Sequence, residues 1–263
     1  MIFDPRPIGI FDSGIGGLTV FAAIKRALPQ ESLVYLGDTA RVPYGNKSPE
    51  TVVRYALEDA AFLMKQGVKA IVVACNTVSA YALPVLQEKL KVPVIGVIEP
   101  GAEAAAASSK VRHIGVIGTT GTIASNAYTK ALHHLDPNII VTTQACPLFV
   151  PLVEDGWLND EPTRLIAHRY LDVFQAAKID TLVLGCTHYP LLTPLIQEVV
   201  GTHITLIDSA EATARALKLH PQFRATGDGA RPTYRIAVTD MPKQSENVAK
   251  RFFGNGLPPM ERV

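Results

Sequence analysis

Two short apolar runs end in cysteine in the same way. Ala70–Ala74 (AIVVA) leads into Cys75, followed by Asn76 and Thr77, and Thr181–Gly185 (TLVLG) leads into Cys186, followed by Thr187 and His188. A free thiol titrates near 8.5, so only a few per cent is thiolate at neutral pH and any thiol chemistry needs local activation. A turn and helix start after each cysteine would offer backbone N–H groups that favour an anion. Several chemistries remain open for such a pair. A hydrolase or transferase needs one thiol and a base, and a redox site wants two close enough to bridge. Stereoinversion wants two thiols on opposite faces of one carbon, one removing a proton while the other delivers one. A two-lobed binding clamp without chemistry is the other alternative.

Further polar residues fall at comparable places. Asp12 opens DSGIGG (12–17) directly after the run Ile8–Phe11, and a carboxylate there is a poor core residue. Beside Cys75 it would oppose thiolate formation, which leaves proton relay or ammonium binding as its roles. Gly14, Gly16 and Gly17 permit a tight turn before a helix start, a ready carboxylate or phosphate site, yet Thr19 breaks the dinucleotide-binding GxGxxG pattern. GTTGT (118–122) offers Thr119, Thr120 and Thr122 as hydroxyl donors, one of them a helix cap. His188 could stabilise a thiolate or shuttle a proton. GDTARVPYG (37–45) reads as a functional loop around Tyr44. Glu154, taken alone, is an ordinary helix or loop acid. Cys146 is a packing residue, and no ligand spacing for a metal occurs.

These residues need elements to hold them. Continuous apolar runs at 8–11, 33–36, 70–74, 93–97, 113–117, 139–143, 181–185 and 203–207 predict strands buried on both faces, as in a parallel sheet. Helix patterns lie between them at 17–28, 49–66, 79–90, 122–134, 161–177 and 190–200, two opening on Ser48-Pro49-Glu50 and Asp160-Glu161-Pro162. The series repeats. Ile8 corresponds to Ile114 and Leu33 to Ile139 at an offset of 106 (114 − 8), and Cys75 to Cys186 at 111 (186 − 75), so the second copy holds one short insertion. The expectation is an α/β fold of two similar domains with mainly parallel sheets flanked by helices, related by an internal repeat, with the site in the cleft between them. Residues 98–112 read as a crossover. The polar tail from about 221, with a strand-like 233–239 and a helix-like 243–253, either forms an appendage or rejoins the first half.

Composition bounds the function class. The 263 residues are 48% hydrophobic and 19% charged, enough apolar mass for a core. A net charge of +1 argues against a dedicated nucleic-acid binder. Three cysteines without CxxC suit a reducing cytosol. No uninterrupted run of 18 apolar residues predicts a membrane span, and MIFDPRPIGIF lacks the features of a signal peptide.

At FDSGIGGLTV (11–20), LGDTARVPYG (36–45), VVACNTVSA (72–80), VIGTTGTI (116–123), ACPLFVPLVE (145–154) and LVLGCTHYPLL (182–192) the chain resembles the glutamate racemases of bacterial cell-wall synthesis. The resemblance spans about 8 to 210 and is weaker in the tail. It implies a cytoplasmic, cofactor-independent enzyme that interconverts L- and D-glutamate by a two-base mechanism and supplies D-glutamate for peptidoglycan, without pyridoxal phosphate or metal. By position, Cys75 would take the α-proton of D-glutamate and Cys186 that of L-glutamate. Asp12 would assist Cys75, and His188 with Glu154 would assist Cys186. Asp12, Ser13, Tyr44, Gly45, Asn76, Thr77, Thr119, Thr122, Thr187 and His188 would hold the substrate. It further implies one domain of 1–97 with a returning 210–263, a second of 98–209, and a homodimer that needs neither nucleic acid nor membrane. The few residues before the first strand leave little room for the N-terminal extension of some relatives, which counts against activation by a peptidoglycan precursor.

Overall fold

The computed structural model describes residues 4–223, 231–241, 245–254 and 256–263. The chain alternates strand and helix: β1 (Ile8–Asp12), α1 (Leu18–Ala27), β2 (Leu33–Gly37), α2 (Pro49–Lys65), β3 (Ala70–Val73), α3 (Asn76–Lys89), β4 (Val94–Gly96) and α4 (Ile98–Ser108). A second round follows: β5 (His113–Gly118), α5 (Thr120–Ala124), α6 (Ala127–Leu135), β6 (Ile140–Ala145), α7 (Phe149–Asp155), α8 (Glu161–Ala177), β7 (Thr181–Gly185), α9 (Thr193–Val200), β8 (Thr205–Asp208) and α10 (Ser209–Leu219). The chain closes with β9 (Tyr234–Val238), α11 (Ser245–Phe253) and β10 (Met260–Arg262).

Among the described residues these strands form two wholly parallel sheets, ordered β10-β9-β2-β1-β3-β4 and β6-β5-β7-β8. The order β2-β1-β3-β4 in the first is the order β6-β5-β7-β8 in the second, which is the repeat seen in the sequence. The register, however, makes Val141 rather than Ile139 the counterpart of Leu33, because Ile8 lies beside Leu33 and Ile114 beside Val141. In each sheet the chain winds outward from the first strand in one direction and then in the other. The reversal lies between β1 and β3 and between β5 and β7. Loops diverge there and leave a crevice beyond the carboxyl ends of the strands, where ligands of open α/β sheets bind. The tail rejoins the first sheet: Leu33 of β2 registers with Tyr234 of β9, and Ile236 of β9 with Met260 of β10.

Packing covers both faces of the first sheet. Phe11, Ile71 and Val73 face a core under α2 and α3, whereas Ile8, Ile10 and Tyr35 face another that continues into Ile117, Leu182 and Leu184 of the second sheet. The shared core joins the two sheets into one body, so their loop ends face a common space. Ser48 caps α2, its Oγ accepting the N–H of Thr51 at 3.3 Å.

Several expectations need correction. Helix α3 starts at Asn76, immediately after Cys75, rather than at 79. The predicted helix 122–134 is two helices, because Asn126 takes a left-handed conformation (φ 56°) between α5 and α6. The crossover holds α4, and α7, α10 and β10 were not anticipated. Strand β6 is not buried on both faces: it is an edge strand and Ile140 is 60% exposed. Asp160 precedes α8 without a side-chain cap bond. Of the helix-like 243–253, residues 243 and 244 lie outside the described residues, as do 224–230 of the polar tail.

Candidate active site

Both cysteines sit at the crevice. Cys75 follows β3 and is the N-cap of α3, while Cys186 follows β7 and precedes a single 3-10 turn, Tyr189–Leu192. Both line one cleft, which encloses about 420 Å³ of empty space when its open mouth is included. One wall comes from loops of the first sheet and the start of α3 (Ser13, Gly14, Tyr44, Gly45, Cys75, Asn76, Thr77), the other from loops of the second and the end of α7 (Thr119, Glu154, Cys186, Thr187, His188). Val42, Pro43 and Val150 complete the lining. The thiols therefore approach the same space from opposite walls.

On the first wall, the Cys75 thiol donates to Ser13 Oγ at 3.5 Å. Burial and then the charge of Asp12 push that thiol up to about 12, and the Ser13 bond only partly opposes them. Asp12 lies fully buried at the end of β1. Its Oδ2 accepts the N–H groups of Gly14 (3.1 Å) and Gly17 (3.0 Å), and its Oδ1 has no partner. Desolvation raises the Asp12 carboxyl above its ordinary range, against the pull of His188 and of the two N–H groups. The glycines are needed for contact rather than φ. A Cβ on Gly17 would lie 2.5 Å from the Cβ of Asp12, and one on Gly16 would lie 2.5 Å from His188 Cε1 across the cleft.

The second wall is built differently. His188 Nδ1 is 3.9 Å from Cys186 Sγ and 3.3 Å from Thr187 Oγ1, and its Nε2 bonds Glu154 Oε1 at 2.9 Å. Burial disfavours the imidazolium, but the bonds to Cys186 and Glu154 more than offset it, and His188 is raised to about 10. At neutral pH an imidazolium thus faces the Cys186 sulfur, the counter-charge a thiolate requires.

Hydroxyls and amides fill the remaining site. Thr77 Oγ1 is 2.9 Å from Thr119 Oγ1 and 3.2 Å from Thr122 Oγ1, a cluster that crosses from the first wall to the second. Thr119 is also the N-cap of α5, accepting the N–H of Thr122 at 3.2 Å. Tyr128 of α6 donates to Asn76 Oδ1 at 2.7 Å, which leaves Asn76 Nδ2 buried without a partner. Tyr44 lines the cleft but commits its hydroxyl to Asp38, which does not line it. Asp12 and Thr122 stand one layer behind the lining residues. No group of three or more His, Cys, Asp or Glu side chains able to hold a metal occurs among the described residues, and no described helix is long and apolar enough to cross a membrane.

The sequence profile of the Asp/Glu/hydantoin racemase family matches residues 8–217, most of the chain and every residue just described. The chain belongs to this racemase family. Within it the chain groups with the glutamate racemases: that of Geobacter metallireducens is 52% identical, over 98% of this chain and 96% of the relative. Among solved structures, the glutamate racemase of Francisella tularensis in complex with D-glutamate superposes with a TM-score of 0.92 at 40% identity, covering 99% of this chain and 98% of that one. The Escherichia coli enzyme, in complex with L-glutamate and the activator UDP-MurNAc-Ala, gives 0.79 at 28% identity, covering 98% of both chains.

The cleft and its supports contain residues that spacing alone does not single out. Val42 and Pro43 are apolar wall residues inside a loop and Val150 one in the first turn of α7, recognisable only as parts of conspicuous blocks. Tyr128 orients Asn76 from another helix, and Phe252 of α11 packs its ring 4.9 Å from that of His188. No local signal marks either, since both act across the fold.

Proposed function

We propose that the chain interconverts L- and D-glutamate by proton transfer between its two cysteines, without a cofactor. The observation that carries this reading is the pair of thiols at register-equivalent strand ends, reaching one small cleft from opposite walls. Cys186, as thiolate beside the His188 imidazolium, takes the α-proton of L-glutamate: the C–H bond breaks and an S–H bond forms. The Cys75 thiol then gives its proton to the opposite face, and D-glutamate leaves with Cys75 as thiolate. The reverse reaction exchanges the roles. Asp12 and the His188–Glu154 pair return the thiols to their starting protonation states. The developing carbanion is stabilised by water exclusion and preorganised donors, among them the free Asn76 amide and the hydroxyls of Thr77 and Thr119. Ser13, Gly45, Thr187 and the Tyr44 backbone complete the hold on the substrate, with Thr122 supporting Thr77 and Thr119 from behind. Relatives solved with D-glutamate and with L-glutamate support a site that accepts both enantiomers.

By the same reading residues 1–97 and 210–263 form one domain and 98–209 the other. The pairing of β9 with β2 supports it. The further expectations are a homodimer in the cytoplasm that supplies D-glutamate for peptidoglycan. Circular dichroism of purified protein mixed with D-glutamate, then with D-aspartate, tests the activity without added pyridoxal phosphate. Loss of optical activity with D-glutamate alone is the expected result; loss with D-aspartate alone, or a need for added cofactor, overturns the assignment.

A further inference from the structure

The C-terminal helix α11 belongs by packing to the first sheet's side of the molecule. It lies against α1, with the Phe253 ring 5.7 Å from Phe21 and the Lys25 ammonium 5.3 Å over Phe253. The two residues before Phe253 reach the other side. Phe252, only 6% exposed, sets its ring against His188 at 4.9 Å and 75°, an edge-to-face contact. Arg251 donates through Nη1 to the main-chain carbonyl of Glu154. Its guanidinium lies over Gly156, where an added Cβ would be 2.7 Å from Arg251 Cζ. Consecutive residues of one helix thus touch both members of the pair that flanks Cys186.

Both members need such support. An imidazole bonded at Nδ1 and Nε2 works only while its plane is fixed, and rotation about its outer side-chain bond would break both contacts together. Glu154 is 41% exposed, so water competes for its carboxylate. It sits in the last turn of the seven-residue helix α7, which ends at Gly156 in a left-handed conformation (φ 83°). A guanidinium bonded to a last-turn carbonyl satisfies an acceptor the helix leaves open and opposes its negative end.

We infer that Arg251 and Phe252 are positioning residues for the reaction, holding Glu154 and His188 in the geometry that serves Cys186. The inference rests on the two-thiol reading given above. Because racemisation has an equilibrium constant of one, kcat/KM falls equally in both directions when this side is loosened, although the residues touch one side only.

The test is steady-state racemisation by Phe252→Ala, Phe252→Tyr, Arg251→Ala and Arg251→Lys, with the ¹⁵N imidazole resonances of His188 recorded for each. A misplacement near 1 Å costs about 100-fold, so Phe252→Ala should lose about ten- to a hundredfold in kcat with KM changed by less than about threefold. His188 resonances should move, Phe252→Tyr and Arg251→Lys should recover most of the rate, and Arg251→Ala should fall between. In a His188→Asn background Phe252→Ala should cost almost nothing more, because residues acting through one another are not additive. Wild-type kcat in both alanine variants, or an undiminished loss in the His188→Asn background, overturns the inference. If Phe252→Ala does not fold, Phe252→Leu carries the same expectations. Cys186→Ser in the same assay separates the two claims. Its continued racemisation defeats the two-thiol reading, whereas an inactive Cys186→Ser beside fully active alanine variants defeats only the positioning role.

Discussion

On the Cys75 side the neighbour is a buried carboxyl with one oxygen unpartnered; on the Cys186 side it is an imidazole clamped by a glutamate. The strand orders around the two are the same, and so is the placement of each cysteine after the strand at the reversal. The insertion in the second copy accounts for much of the difference. The first half runs from β2 to α2 through the Tyr44 loop, whereas the second places α7 between β6 and α8, and α7 carries Glu154. The surroundings differ accordingly: Asp12 and burial favour the thiol at Cys75, whereas the His188 imidazolium lies beside the Cys186 sulfur. In the proposed reaction two unlike supports serve one symmetric exchange, in which one thiol begins protonated and the other as thiolate.

The comparison breaks most completely if either thiol proves dispensable. Cys75→Ser and Cys186→Ser should each lower racemisation by about a thousandfold or more, at the upper end of what one acid–base group contributes. Each should retain slow exchange of deuterium from solvent into one enantiomer only, L-glutamate for Cys75→Ser and D-glutamate for Cys186→Ser. Proton NMR in D2O reads this directly, and exchange of both enantiomers by either variant would refute the assignment of faces.

Asp12 comes next. Asp12→Asn preserves an oxygen to accept the N–H groups of Gly14 and Gly17, so the turn should survive, but it removes a titrating group. A loss of about 100-fold in kcat is expected if the carboxyl moves protons or holds the ammonium group. Near wild-type kcat would reduce Asp12 to a tether for the DSGIGG turn, leaving the Cys75 side without an acid–base partner.

Much of this contrast was legible in the residues. Strands followed by cysteine at matching offsets, and Asp12 at a strand end, are local patterns, and parallel-sheet strands announce themselves by unbroken apolar runs. Glu154 was not legible on its own, since its role depends on His188, which is distant in sequence and meets it only through packing. The same holds for Tyr128 on Asn76. The break at Asn126 went unread because the 3.6-residue pattern continues through it. Edge strand β6 was misjudged because an apolar run does not reveal whether a neighbouring strand or helix will cover it.

A smaller effect is expected for Glu154→Gln, about tenfold in kcat, together with a change in pH dependence. His188 ordinarily titrates near 6.5 and is raised to about 10 in the folded chain. Between those values the folded protein holds a proton that the unfolded chain has lost, so His188 contributes stability that is full below about 6.5 and is lost as pH rises through about 10. Removing the Glu154 charge lowers the folded value and should flatten the decline of melting temperature between pH 7 and 10. An unchanged slope would mean Glu154 does not sustain the imidazolium.

The smallest effect should come from the third cysteine, which the same comparison explains. The N–H of Cys146 bonds the carbonyl of Gly118 at the end of β5 (2.8 Å), as the N–H of Asp38 bonds that of Asp12 at the end of β1 (3.0 Å). Cys146 is therefore the counterpart of Asp38, not of either cleft thiol. Asp38 uses its side chain to take the Tyr44 hydroxyl, whereas Cys146 takes the Tyr189 hydroxyl with its main-chain carbonyl, at 2.9 Å. A main-chain acceptor survives any side-chain change. Cys146→Ala should thus cost about 1 kcal/mol of stability from lost packing and leave kcat and KM at wild-type values. A large loss of turnover there would mean that the thiol count of the site is three, and the pairing of halves drawn here would be wrong.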